Sequence, residues 1–291
     1  MATAVREIRC GPRTLRLGER TLIMGILNVT PDSFAGDGLW TGMPGEADVE
    51  HVVACGRAMV ADGAHILDVG GESTRPGAAP VSLDEELRRT IPVIARLARE
   101  VDVPISIDTY KAEVVRQAVA AGAGLVNDVS ALRFDPAMGG VVAEVGVPLV
   151  LMHMKGTPRD MQRDPRYADV MGEIVDFLGE RIAAAERAGI PRQRLIVDPG
   201  FGFGKTVVHN VEIMRRLGEL RVLGCPVLIG PSRKTTIARL LGGLPATERV
   251  EGTAALVVLA IAAGVDIVRV HDVKPIARAA RVADAVVRGL R

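Results

Sequence analysis

Eight short apolar runs along the chain each end in polar residues. They occupy residues 21–28, 65–72, 104–109, 125–130, 148–153, 195–200, 226–232 and 267–271. Segments of helical composition lie between and after them, near 46–62, 84–99, 111–121, 135–144, 166–188, 208–220, 234–241, 248–263 and 274–289. Such alternation of strands and helices predicts an α/β fold, a (β/α)8 TIM barrel, in a single domain. In this fold the carboxyl ends of the strands carry the active site.

The chain length and the apolar composition agree with one barrel. The 291 residues fit a fold that usually takes about 250. Residues 1–20 are predicted to form an N-terminal lead-in, with a hairpin closing the barrel bottom, and residues 21–291 to form the barrel. Apolar residues make up 48% of the chain and aromatic residues only 3%, which predicts an aliphatic core around a parallel sheet.

Charge and cysteine content exclude several classes of partner and location. The formal net charge of +1 argues against a nucleic-acid-binding surface. The longest apolar stretch, 254–265, is too short to cross a membrane and is expected to be a buried helix. Cys10, Cys55 and Cys225 are dispersed and form no CxxC motif, and residues 1–10 lack the apolar core of a signal peptide. We therefore predict a reduced, cytoplasmic protein.

Polar residues at the ends of the runs are the first candidates for chemistry: Asn28, Asp68, Asp108, Asn127, His153, Asp198, Ser232 and His271. Asp108, Asn127 and Asp198 each end a strongly apolar run, so they are expected in the barrel mouth. There they need hydrogen-bond partners, which the amino and carbonyl edge of a flat heterocycle supplies. Bonds to the barrel rim are the alternative for any single residue.

Basic residues cluster after the seventh and eighth runs. Barrels often bind phosphate in the loops after these two strands, and guanidinium groups form paired bonds with phosphate oxygens. Ser232, Arg269 and His271 therefore predict an anion site, with Asn28 beside it. Lys234 is expected to face the heterocycle, and Arg233 to form a surface ion pair.

The glycine-rich run DPGFGFGKT (198–206) only superficially resembles a nucleotide-binding loop. A Walker A motif requires glycine where this chain has Pro199, so that motif is absent. We interpret the run as a flexible loop after the sixth strand. Phe201 or Phe203 is expected to pack on an aromatic substrate or on the barrel rim. His153 has no metal-ligand spacing around it, so we expect no zinc site.

Nine segments in order resemble the dihydropteroate synthase family: MGILNVTPDSF (24–34), DVGGESTRPGA (68–78), SIDT (106–109), NDVS (127–130), MHMKGTP (152–158), DPGFGFGK (198–205), GPSRK (230–234), ERVEGTAA (248–255) and RVHDV (269–273). The resemblance implies a folate-biosynthesis transferase. It would join 6-hydroxymethyl-7,8-dihydropterin diphosphate to p-aminobenzoate and release 7,8-dihydropteroate and pyrophosphate. Sulfonamides would compete for the aminobenzoate site, and the protein would be a homodimer.

The resemblance also implies roles for individual residues. The pterin would be bound by Asp108, Asn127, Asp198 and Lys234. The diphosphate would be bound by Asn28, Thr74, Arg269 and His271, with the cofactor Mg2+ held through Asn28. The aminobenzoate would be bound by Phe34, Pro76, Phe203, Lys234 and Thr235. The catalytic residues would be Asp108, Lys234 and Arg75, in an SN1-like reaction in which the carbon–oxygen bond breaks largely before the amine attacks.

Two other functions remain open at this point. A methyltetrahydrofolate-dependent methyltransferase would share the pterin-binding residues but would not need GPSRK or the STRPG loop. A non-catalytic pterin-binding paralogue would be expected to lose anion-site residues, yet Asn28, Arg75, Lys234, Arg269 and His271 are all present. The family pattern differs at SFAGDGLW, which has one extra residue, at Thr235, where serine is usual, and at Ala238, where glycine is frequent.

Overall fold

A computed structural model describes residues 5–30, 38–39, 46–73 and 78–290 of the chain. Two strands form an antiparallel hairpin: β1 (Arg6–Cys10) and β2 (Arg13–Leu17). The eight apolar runs form the parallel strands β3 (Leu22–Asn28), β4 (Ile66–Gly70), β5 (Ile105–Asp108), β6 (Leu125–Asp128), β7 (Leu149–Met152), β8 (Leu195–Asp198), β9 (Leu228–Ile229) and β10 (Ile267–Val270).

The parallel strands form a nearly closed barrel. Their order is β8-β7-β6-β5-β4-β3-β10-β9, and a parallel bridge between Val197 and Val227 joins the two ends of this series. The predicted (β/α)8 TIM barrel is therefore confirmed. Every residue of β4 and of β8 is buried, as expected when a parallel sheet is covered on both faces.

Helices follow each parallel strand in the described part of the chain. They are α1 (Glu46–Ala61), α2 (Leu83–Glu100), α3 (Ala112–Ala120), α4 (Met138–Val145), α5 (Val170–Arg187), α6 (Val207–Arg216), α7 (Thr235–Leu240), α8 (Val250–Ala262) and α9 (Val273–Arg288). The predicted helices agree with these bounds within a few residues. The predicted helix at 208–220 is shorter, since after Arg216 the chain continues as a 3-10 helix over Leu217–Leu223.

Local sequence explains the start of α2. The Ser82 hydroxyl accepts a hydrogen bond from the Glu85 backbone N–H, which satisfies one donor of the first turn. Asp84, Glu85 and Glu86 place negative charge near the positive end of the helix dipole. The loop between β4 and α2 is therefore anchored where it enters the helix.

The hairpin closes the amino-terminal end of the barrel. Its inward side chains Ile8, Leu15 and Leu17 form one buried cluster with residues from the first half of the parallel strands, among them Met24 and Ile196. This apolar layer fills the barrel below the polar residues at the other end. The lead-in thus contributes to the core, as the predicted hairpin at the barrel bottom requires.

The apolar stretch at 254–265 is only partly buried, contrary to expectation. It belongs mainly to α8, where Val258 and Leu259 are 40% and 57% exposed. The neighbouring helix α9 exposes Val282 and Val286 as well. The reason is that a helix on the outside of a barrel covers the sheet with one face only, whatever its composition. No helix in the described residues is both long and apolar enough to cross a membrane.

We predict that Ile8→Ala destabilises the fold without affecting ligand binding. The side chain is 2% exposed, and truncating a buried isoleucine typically costs about 2–5 kcal/mol of the free energy of unfolding. Chemical denaturation measures this loss. Val5→Ala is the matched control, because Val5 is 47% exposed and its truncation should cost less than about 0.5 kcal/mol. Equal stability of the two variants would show that the hairpin does not support the barrel.

Candidate active site

A cavity of ≈ 430 Å³ lies at the carboxyl ends of the parallel strands. Eight of the predicted site residues line it: Asn28, Asp108, Phe203, Ser232, Lys234, Thr235, Arg269 and His271. They come from segments far apart in the chain, and barrel closure brings them together. Residues predicted to bind the diphosphate and residues predicted to bind the aminobenzoate thus line the same cavity.

The other predicted site residues fall into two groups. Phe34, Thr74, Arg75 and Pro76 lie outside the described residues. Asn127 and Asp198 are buried, at 4% and 6% exposure, and do not line the cavity. In register, Asn127 on β6 is the neighbour of Asp108 on β5, so it lies beside a cavity residue. The assignment of ligand roles to all of these residues stays a prediction.

Arg269 lies at the centre of a buried charge cluster. Its Nε donates to Asp68 Oδ2 at 2.5 Å, and its Nη2 donates to Asp108 Oδ2 at 2.8 Å. Asn127 Nδ2 donates to the same Asp68 oxygen at 3.1 Å. The cluster joins β4, β5, β6 and β10. Arg269 was predicted to bind diphosphate, and the structure adds that it compensates two buried carboxylates.

Asp68 is the residue of this cluster that received no role from the sequence. It is fully buried, and its Oδ1 accepts no hydrogen bond within the described residues. Its position at the end of the second apolar run was the available signal. A buried carboxylate needs a charged or hydrogen-bonding partner, and Arg269, which meets it here, follows it by 201 positions in the chain.

Burial shifts the acids of the site towards neutrality. It raises the pKa of Asp108 to about 7 against the opposing charge of Arg269, and Asp68 adds to the rise. It raises the pKa of Asp198 to about 6, although the Gly200 N–H and the nearby Lys205 and Lys234 oppose this. Burial alone would lower the pKa of Arg269, but its two carboxylate partners raise it, so the guanidinium stays charged. The protonation states of Asp108 and Asp198 are thus sensitive to bound ligands near neutral pH.

Burial lowers the pKa values of two basic side chains that line the cavity. Burial lowers the pKa of Lys234 to about 8. Burial, with Arg233 and Arg269, holds the pKa of His271 well below its usual range, so the ring is neutral at pH 7. The ring Nδ1 lies 2.9 Å from Ser232 Oγ. Arg233 forms an ion pair as expected, donating from Nε to Asp272 at 2.9 Å, but the pair is partly buried and not at the surface, with side chains 15% and 22% exposed.

The glycine-rich run forms a defined turn. Gly200, Gly202 and Gly204 have φ angles of 66°, 85° and 62°, which only glycine adopts readily. A Cβ atom on Gly200 would lie 1.9 Å from the carbonyl oxygen of His153. Glycine therefore allows the loop to pack against the end of β7. The interpretation as a flexible loop overlooked the hydrogen bonds that hold this turn.

The two phenylalanines of this run have different surroundings. Phe201 is 1% exposed and belongs to the core. Phe203 lines the cavity, where the Lys234 Nζ lies 4.0 Å from its ring centre. Phe203 is therefore the candidate for contact with an aromatic substrate. The sequence left this choice open, since both residues have the same neighbours in the chain.

Glu72 is a further cavity residue without a role predicted from the sequence. Its carboxylate accepts a hydrogen bond from the Tyr110 hydroxyl at 2.5 Å and another from Lys111, which also binds Glu86. Glu72 lies in the loop between β4 and α2, two residues after the end of β4. These contacts fasten the start of that loop to the residues directly before α3.

Comparisons with known proteins agree with this geometry. A family model described as pterin binding enzyme matches residues 24–271. A dihydropteroate synthase from Synechocystis is 48% identical over 271 residues, which cover 93% of this chain and 92% of that protein.

Solved structures give the same result. The Yersinia pestis dihydropteroate synthase, in a sulfonamide drug complex, superposes with a TM-score of 0.89 at 42% identity, covering 96% of this chain and 99% of that one. The Xanthomonas albilineans dihydropteroate synthase with 4-aminobenzoic acid superposes with a TM-score of 0.88 at 48% identity, covering 97% and 98%. With a family match over most of its length and relatives of this identity, the chain belongs to the pterin-binding enzymes and, within them, to the dihydropteroate synthases.

Proposed function

We propose that this transferase joins 6-hydroxymethyl-7,8-dihydropterin diphosphate to p-aminobenzoate, giving 7,8-dihydropteroate and pyrophosphate. The observation that supports this most is a cavity lined by the acidic side chain of Asp108 together with basic and aromatic side chains. Asp108 lies beside Asn127, and Lys234 lies over Phe203. The relatives are synthases, which favours this reaction over the methyltransferase alternative.

The side chains of Asp198 and Asn127 suit the pterin. The amino group and adjacent ring N–H of a pterin are two parallel donors, and one carboxylate accepts both. Asp198 uses Oδ1 for the Gly200 N–H, at 2.7 Å, and its Oδ2 accepts no hydrogen bond within the described residues. Asn127 both donates and accepts, so it suits the mixed edge of the heterocycle. The ligand would need to reach these two buried side chains.

The side chains of Arg269, His271 and Ser232 suit the departing pyrophosphate. Arg269 has further N–H donors beyond the two that bind Asp68 and Asp108, and these suit phosphate oxygens. His271 and Ser232 add neutral hydrogen-bonding groups next to them. Thr74, outside the described residues, keeps its predicted role. A strong anion beside His271 would raise the pKa of its ring, which burial and the nearby cations hold low.

Mg2+ remains part of this proposal. The described residues contain no group of three or more His, Cys, Asp or Glu side chains that could hold a metal ion. The amide oxygen of Asn28, which lines the cavity, fits an ion that commonly takes one or two protein ligands and completes its shell with water and substrate phosphates. Bound there, Mg2+ would supply charge compensation for the pyrophosphate.

Different residues would stabilise the pterin cation and bind p-aminobenzoate. Loss of pyrophosphate leaves positive charge on the pterin methylene group, and Asp108 is the carboxylate that would compensate it. The arylamine of p-aminobenzoate is a neutral nucleophile and needs no strong base before it attacks. Lys234 and Phe203 would hold its ring, and Thr235 would donate to its carboxylate. The site would be completed by Phe34, from the segment between β3 and α1, and by Arg75 and Pro76, from the segment between β4 and α2.

A homodimer in the cytoplasm completes the proposal. The exposed apolar residues of α8 and α9, such as Leu259 and Val286, support a second copy of the chain as the partner. The three cysteines are unpaired, which fits a reducing compartment. Sedimentation equilibrium at the mass of one chain would contradict the dimer. Recovery of the protein in a secreted fraction would contradict the location.

The reaction itself is tested by measuring pyrophosphate release from the pterin diphosphate with Mg2+. We expect release that depends on p-aminobenzoate, that forms dihydropteroate and that stops when EDTA removes the metal. A sulfonamide should inhibit it competitively with p-aminobenzoate. Binding of the pterin without any product would instead identify the non-catalytic paralogue.

Asp108→Asn should lower turnover by at least about 100-fold, because it removes the charge that compensates the cationic transition state. Affinity for the pterin diphosphate should fall by less than about tenfold, since an amide keeps an acceptor for Arg269. Single-turnover kinetics and calorimetry separate the two effects. Asp266→Asn is the control, because Asp266 is a half-buried carboxylate bonded to the Val227 N–H, away from the cavity. Near-normal turnover of Asp108→Asn would rule out this role.

Pterin binding should weaken in acid. Burial raises the pKa of Asp198 to about 6, so below that pH its carboxyl is protonated and no longer accepts two donors. Affinity for a neutral pterin should therefore fall by about tenfold for each pH unit below 6. Asp198→Asn should bind weakly at every pH, without this dependence, whereas Asp108→Asn should retain it. Calorimetry with 6-hydroxymethylpterin from pH 4.5 to 8, at about half-unit steps, makes the measurement; an unchanged acid dependence in Asp198→Asn would refute the assignment.

A further inference from the structure

The loop between β8 and α6 is held by buried side chains that the reaction itself does not use. Lys205 is 4% exposed, although lysine is rarely buried without a charged partner. Its Nζ donates to the carbonyl oxygens of Gly200 at 3.0 Å and Phe203 at 2.9 Å. It also lies 2.9 Å from His153 Nδ1, at the end of β7. The lysine thus binds both ends of the turn and ties them to the next strand.

The state of His153 fits this arrangement. Burial, followed by the charge of Lys205, lowers the pKa of His153 to about 2, so the ring is neutral and its Nδ1 can accept a hydrogen bond from the lysine. The other partners of the lysine Nζ are carbonyl oxygens, which are acceptors as well. Burial also lowers the pKa of Lys205 to about 7, so the amine is close to a change of charge at neutral pH. The contacts together form a cation cage built mostly from the backbone of the loop.

Asn210 provides a second anchor from the other side. It is 1% exposed and lies on α6. Its Oδ1 accepts the Gly202 N–H at 2.8 Å, and its Nδ2 donates to Thr236 Oγ1 at 2.9 Å. Thr236 follows Lys234 by two residues, at the start of α7. One amide side chain therefore links the loop that carries Phe203 to the segment that carries Lys234.

The same loop is in contact with the stem of Lys234. A Cβ atom on Gly202 would lie 3.2 Å from the Lys234 Cδ, so the turn packs closely on that side chain. Gln162 donates to the Gly202 carbonyl at 2.7 Å, which adds a bond from the segment after β7. The separation of 4.0 Å between Lys234 and the Phe203 ring therefore depends on where the loop is held.

We propose that Lys205 and Asn210 are positioning residues that hold Phe203 and Lys234 in place at the border of the aminobenzoate subsite. Both also line the cavity, but they act on the aminobenzoate through Phe203 and Lys234. The inference rests on the proposed function, because it takes Phe203 and Lys234 as the two side chains that border the aminobenzoate ring. A residue with this role should affect the use of p-aminobenzoate and leave pterin recognition at Asp198 and Asn127 unchanged.

The test is a comparison of the two KM values in purified full-length variants. Asn210→Ala should raise KM for p-aminobenzoate by about tenfold, and KM for the pterin diphosphate should stay within about twofold. Asn210→Asp keeps the acceptor for the Gly202 N–H and should recover most of the affinity. Thr236→Val removes only the link to α7 and should have an intermediate effect. Lys205→Met should resemble Asn210→Ala.

Thr21→Val is the matched control, because it removes a buried hydrogen bond to Asp284 at the barrel bottom. It should lower stability without changing either KM. If Lys205→Met does not fold, the three variants at Asn210 and Thr236 still decide the question. Equal increases in both KM values, or unchanged values in folded Asn210→Ala, would overturn the positioning role.

Phe203→Ala separates this inference from the assignment of the subsite. A raised KM for p-aminobenzoate in Phe203→Ala, together with unchanged values in Asn210→Ala, would refute only the role of the anchors. An unchanged KM in Phe203→Ala would refute the subsite and the inference with it. The wild-type reaction is measured independently of both.

Discussion

The ion cluster of Arg269 with Asp68 and Asp108 is the contact on which the rest of the site depends. The carboxylates of Asp68, which is fully buried, and of Asp108, which is partly buried on the neighbouring strand, would repel each other and lose hydration. The guanidinium compensates both, with bonds of 2.5 Å and 2.8 Å, and joins β10 to β4 and β5. The cluster thus allows acids to exist at the bottom of the cavity, where a proposed cationic intermediate needs them.

This arrangement explains why the site holds ionisable groups whose pKa values lie near neutrality. Burial raises the pKa of Asp198 to about 6 and that of Asp108 to about 7, and it lowers that of Lys234 to about 8. Each group is therefore close to a change of charge at physiological pH. Binding of an anion and of a flat heterocycle would shift these protonation equilibria strongly, because buried charges are poorly screened by water.

Hydrogen bonds to buried polar side chains hold the walls of the cavity in place. The loop between β8 and α6 places Phe201 in the core, and the rest of its shape comes from glycine φ angles and from hydrogen bonds to its backbone. Lys205 and Asn210 supply those bonds from buried positions. At the other edge, Glu72 is fastened by Tyr110 and Lys111 in the same manner. Polar anchors in the cavity wall thus hold the neighbouring side chains, such as Phe203 and Lys234, in position.

The sequence by itself determined the barrel and most of the residues around its mouth. Apolar runs ending in polar residues are a local pattern, because strand burial and the change to a loop act within a few positions of the chain. Asp108, Lys234 and Arg269 could therefore be named, and nine motifs in order were enough to indicate the family. The helix bounds followed from local composition as well.

Only the tertiary structure decided which groups meet. Arg269 lies 201 positions from Asp68 and 161 from Asp108, so no local pattern reveals that it bridges them. The choice of Phe203 over Phe201, the cage around Lys205 and the neutral state of His271 depend in the same way on burial and on partners from other strands. Charge compensation and desolvation are properties of a closed barrel, and they arise only when distant segments come together.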